Sequence, residues 1–202
     1  MTELVFPVGH DLGGYHPGPG QPAIRREIRV GRTVYGLPGA AEHEVWLMAH
    51  GAFGTEPLSM WRYRDRLRDS GIQNAAGIAG QLASDGLICR VESQGDAAVE
   101  FARRHRVLPL MTGIGGADES RPGRYAIGVF GRPATYLDEI GYWVWLHGHR
   151  WDNLWLASAA LAETRPGEGT GEPATCLTLI LTRLHQLLSA SAGYLDASWD
   201  RR

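Results

Sequence analysis

The feature that most constrains the fold is a near-repeat within the chain. Val5-Phe6-Pro7-Val8 followed by Leu12-Gly13-Gly14 is echoed by Val107-Leu108-Pro109-Leu110 followed by Ile114-Gly115-Gly116. A second ungapped block follows at a slightly shorter offset, where Gly31 meets Gly128, Glu42 meets Glu139, Trp46 meets Trp143, and His50-Gly51 meets His147-Gly148. The two blocks keep their order, and the offset moves by no more than a loop-length change would produce. A repeat of this size predicts two copies of one small module in tandem, acting as a covalent pseudo-dimer.

At 202 residues the chain fits one large domain or two small ones. Each half is long enough to bury a core, though only marginally. Seven tryptophans, a 44% apolar fraction and 21% charged residues predict a folded chain. The longest apolar run, from Cys176, breaks at Arg183, short of the ~18 residues of a membrane span. Met1-Thr-Glu-Leu has neither the basic nor the apolar part of a signal peptide. Two cysteines are too few for a disulfide framework, so a reduced, cytoplasmic setting is expected. All 20 basic residues are arginine, a bias of GC-rich, actinobacterial-like coding more than of phosphate recognition. The net charge of −2 gives no global basic footprint for nucleic acid.

Each copy opens with two strand-like pieces, Leu4–Val8 and Ile28–Tyr35, then Val107–Met111 and Tyr125–Phe130, joined by Gly/Pro-rich loops. The Gly-Gly pairs supply positive φ in those loops. First helices are expected over Ala40–His50 and Leu137–His147, each His-Gly marking a helix end. Asp138 reads as a helix-start residue. Second helices are expected over Leu58–Asp69 and Asn153–Glu163. The first carries Arg62, Arg64, Arg66 and Arg68, and Asp65 and Asp69 stand three residues after Arg62 and Arg66 as local ion-pair partners. Third helices are expected over Asn74–Ser84 and Thr175–Ser189, with Arg165–Pro173 as an insertion. The modules then span residues 1–95 and 107–202, with a linker helix over 96–106.

The third helix runs into Asp85-Gly86-Leu87-Ile88-Cys89-Arg90-Val91, and Ser93-Gln94-Gly95-Asp96 offers a turn after it. This stretch resembles the recognition-helix-to-wing segment of winged-helix transcriptional regulators. The resemblance covers roughly residues 42–91 and implies an α+β fold of two tandem winged-helix modules. It also implies double-stranded DNA as a partner. Gln73, Asn74 and Gln81 would face bases, and Arg62, Arg66, Arg68 and Arg90 would lie along the phosphates. Against it, the body of that helix, Ala75-Ala76-Gly77-Ile78-Ala79-Gly80, has no long polar side chain. The alternative is an interaction or complex subunit, with the second copy's Trp143, Trp145, Trp151 and Trp155 as its aromatic surface. No Walker, nucleophile-elbow, Cys-x-x-Cys or His-Glu-x-x-His pattern is present. No catalytic, metal or cofactor residue is therefore assigned. The His10-Asp11…His16 loop is the one polar cluster that invites a search for a small ligand.

Overall fold

The computed structural model describes residues 2–52, 56–116, 121–164 and 171–199. It is a mixed α+β protein in which one order of elements occurs twice. The first passage is β1 (Glu3–Pro7), a meander β2 (His10–Tyr15), β3 (Arg25–Val30) and β4 (Thr33–Leu37), then α1 (Ala40–Met48), α2 (Met60–Asp69), α3 (Ala75–Ser84) and β5 (Ile88–Glu92). After α4 (Asp96–Arg104) come β6 (His105–Pro109) and a meander β7 (Thr112–Gly115), β8 (Tyr125–Val129) and β9 (Arg132–Leu137). Helices α5 (Glu139–His147), α6 (Leu154–Thr164) and α7 (Pro173–Leu188) and strand β10 (Gly193–Ala197) complete the second passage. In each half the first strand pairs antiparallel with the last: Pro7 faces Ile88, and Pro109 faces Gly193.

The expected loops therefore contain strands. Asp11-Leu12-Gly13 and Gly113-Ile114-Gly115 each form a bulge in the first strand of a meander. Gly13 and Gly115 sit there at φ +82° and +135°, as a bulge with left-handed backbone requires. Ile28–Tyr35, expected as one strand, turns at Gly31 (φ +57°) into a hairpin.

The wing is corrected. β5 pairs with β1 and no strand returns after it. Gly95 instead precedes α4, where the acidic Asp96 opens a helix with Phe101 and Ala102 on its buried face. That apolar stripe makes 96–104 a packed helix and leaves no wing tip at Ser93–Asp96.

The helix alignment is corrected too. Trp46 and Trp145 are each the seventh residue of their helix, and both are buried, as are Val45 and Val144 before them. Trp143 is only partly buried. The repeated His-Gly pairs thus occupy different places. Gly51 lies beyond α1 at φ +85°, whereas Gly148 has right-handed backbone and continues into a 3-10 turn, Gly148–Arg150.

Two cores result. One, built from Val5, Ile28, Trp46, Tyr63, Leu82 and their neighbours, lies wholly in the first half. The other centres on α7 but takes in Leu4, Phe6 and Val91 from the first half. Side chains alternate faces along a strand. Val5 therefore enters one core while Leu4 and Phe6 enter the other. The β1–β5 pair is a wall shared by both. Phe6 stacks on Phe101 (5.4 Å) and on His185 (4.8 Å), and Phe101 stacks on His105 (4.3 Å). No helix among the described residues is long and apolar enough to cross a membrane.

Candidate functional site

The residues expected at a DNA interface lie on α2, α3 and β5, and most are engaged within the chain. Arg62 pairs with Glu56, not Asp65, and its guanidinium lies 5.6 Å from the Trp61 ring. Arg66 donates to the Met48 carbonyl (3.1 Å), tying α2 to the end of α1. Arg68 takes both carboxylates, Asp65 at 2.8 Å and Asp69 at 3.2 Å. Gln81 donates to Asp85 (3.1 Å). Gln73 and Asn74 are exposed where α3 begins, with Asn74 in left-handed backbone at φ 58°. Arg90 is exposed on β5 and, with Arg64, borders a shallow hollow of about 220 Å³ between α2 and α3. The second copy's tryptophans do not form one exposed surface. Trp145 is buried, Trp143 and Trp155 are half-buried against the core, and Trp151 is exposed.

A different place gathers polar groups from both halves. A cleft of about 380 Å³ lies where the β1–β2 turn and the end of α1 meet the end of α7 and the start of β10. The first half contributes Gly9, His10, Asp11, Leu47, His50 and Gly51. The second contributes Leu188, Ser189, Ser191 and Tyr194. Gly9 is required in its wall. It holds φ +109°, and a Cβ there would fall 2.4 Å from Ile28 Cγ2. Its amide donates to the Leu195 carbonyl (2.7 Å), joining the halves below the cleft.

Asp11 is fixed from two sides. The Gly13 amide donates to Oδ1 (2.8 Å), a bond the bulge provides, and the buried His43 ring meets Oδ2 through Nε2 (2.8 Å). Burial works to raise the Asp11 carboxyl. The Gly13 and His43 hydrogen bonds and the charges of His43 and Arg26 outweigh it and hold the group below its usual range. His10 stacks on Tyr194 (4.7 Å), whose hydroxyl accepts from Arg29 Nη2 (2.8 Å). His50 stands edge-on to Trp46 (4.4 Å). Burial outweighs the pull of the Trp46 and Leu47 backbone and brings its imidazole down to about 4.

Behind His50, His185 of α7 reaches into the first half. Nε2 donates to the Val5 carbonyl (2.8 Å) and Nδ1 accepts from the Leu58 amide (3.3 Å). A carbonyl can only accept and an amide can only donate, so the ring is held neutral in one tautomer. Burial lowers it to about 4 as well.

No family model, curated protein or solved structure matches the chain.

The corresponding place in the second half is filled. Gly113 stands at the bulge where the first half has Asp11, and a Cβ on it would touch the Trp145 ring at 3.2 Å. Tyr142 replaces His43, stacked between Tyr125 (4.3 Å) and Trp145 (5.7 Å). The Asp11–His43 pair thus has no counterpart in the second half. Sequence reading reached His10 and Asp11 but missed His43, His50, Ser189 and Tyr194. The available signal was His43, Trp46 and His50 at helical spacing on one face of α1. His16 and His149 are exposed and outside the cleft. Among the described residues no three metal-ligating side chains converge.

Proposed function

We propose that the protein is a small-molecule-binding protein made of two copies of one α+β module, with its site in the cleft between them. The observation that carries this reading is the convergence on one concave surface of His10, Asp11 and His50 with Ser189, Ser191 and Tyr194. Binding sites favour such junctions, with apolar walls and a few fixed polar groups. The duplication is supported by the repeated element order and by the matched bulges and buried tryptophans. The Gly113 and Tyr142 replacements support one site per chain. A fragment library screened by amide NMR should shift residues 9–11, 50–51 and 189–194 together. Leu47→Trp, on the exposed rim, should abolish those shifts. A library that never moves this set of amides would defeat the proposal.

DNA binding is a second reading, favoured by one observation. α2 and α3 are joined by a short turn through Gly71 (φ +71°), as in a helix-turn-helix, and Gln73 and Asn74 are exposed at the start of α3. Retention of mixed-sequence duplexes at low salt, lost in an Arg64→Glu/Arg90→Glu variant, would favour it, because phosphate contacts are strongest there.

A further inference from the structure

We infer that the ligand of this cleft is an organic cation, with a protonated amine or similar group seated between the Asp11 carboxylate and two helix C-termini. The inference rests on the binding reading above and adds the ligand's charge.

Three sources of negative potential converge. Asp11 is ionised, and a third of its side chain is open to solvent. α1 ends at the cleft through Leu47, His50 and Gly51, and α7 ends there through Leu188, Ser189 and Ser191. The last carbonyls of a helix carry the negative pole of its dipole, so cations are favoured at both ends; Arg66 already takes one of those of α1, at Met48. No arginine lines the cleft. His43 at Oδ2 (2.8 Å) and Arg26 on the neighbouring strand offset part of the Asp11 charge. Arg29, outside the lining, is engaged by the Gly31 carbonyl (3.1 Å) and the Tyr194 hydroxyl, with Asp196 3.9 Å away. His50 adds no positive charge near neutral pH. The His10–Tyr194 stack gives an aromatic wall, which suits an ammonium group. A metal cation would need ligands that do not converge here among the described residues.

The test is a matched panel. Phenethyl, butyl and imidazolyl-ethyl scaffolds each carry an ammonium, a hydroxyl or a carboxylate, and binding is read by amide NMR titration. Ammonium members should bind best on each scaffold they fit and weaken as salt is raised. Asp11→Asn should weaken them by at least about tenfold while leaving the hydroxyl members unchanged. A thermal melt of Asp11→Asn checks that the fold is kept; if it is not, the salt dependence of the wild-type protein decides. Carboxylate or hydroxyl members binding as well as the ammonium ones would overturn the charge assignment and leave the binding site standing. No binding by any member, with the fragment library also silent, would defeat both.

Discussion

At the scale of single residues, the chain stakes much on histidines that cannot ionise. His185 satisfies a buried carbonyl and a buried amide across the two halves. His185→Leu keeps the bulk and strands both groups, and should cost about 2–4 kcal/mol in urea denaturation. The same burial sets the acid response. His50 and His185 fall to about 4 in the folded chain, against an ordinary value of 6.5. Between these values the unfolded chain binds protons that the folded chain refuses. Their contribution is complete above pH 6.5, falls as pH drops toward 4, and is lost below that. Two such groups can remove up to about 6 kcal/mol over that window. Unfolding free energies measured from pH 7.5 to 4 should show this slope, and His185→Leu should flatten it. A variant slope equal to that of the wild type would assign the acid response to other groups. The sequence placed eight histidines in view but not their burial, because burial depends on what packs from elsewhere in the chain.

At the scale of elements, periodicity located every α-helix among the described residues within a few residues, while β2 and β7 fell in expected loops. What failed was register. The identity-based alignment set Trp46 against Trp143, whereas packing sets it against Trp145. The two identical His-Gly pairs favoured the wrong offset, since identity does not report which face a residue buries. The wing failed because the strand after an Asp-Gly turn can pair with any free edge, and β1 supplied one. The hairpins carry their own requirements. A Cβ on Gly128 would fall 1.9 Å from the Arg132 carbonyl, so the β8–β9 bulge admits only glycine there. Gly128→Ala should destabilise by at least about 2 kcal/mol, read as a fall in melting temperature. At the start of α5, Asp138 accepts the Gly141 amide (2.8 Å) and pairs with Arg183 of α7 (2.5 Å). Asp138→Ala should cost about 1–2 kcal/mol through the lost cap and ion pair.

At the scale of the whole molecule, the halves are not independent. The second core borrows Leu4 and Phe6 from β1, and the first half borrows His185 from α7. The buried Asp196 accepts the Gly31 amide (2.5 Å), clamping the first hairpin to the last strand. Expressed alone, residues 1–104 and 105–202 should each lack a cooperative melt, and mixing them should restore one. A sharp transition in either fragment would refute the shared wall. Phe6→Ala, at the centre of the ring stack, should cost about 3–5 kcal/mol and lower the stability of both halves together.

The sequence by itself determined the α+β class and the places of the α-helices. These follow from local periodicity and turn residues, which are visible along one dimension. The cleft, the neutral histidines and the choice of the first half as the polar one were decided only by tertiary structure. Each depends on residues far apart in the chain, such as His50 with His185 and His10 with Tyr194. Side chains that distant acquire a shared dielectric, and hence a shared chemistry, only once the two cores have closed on β1.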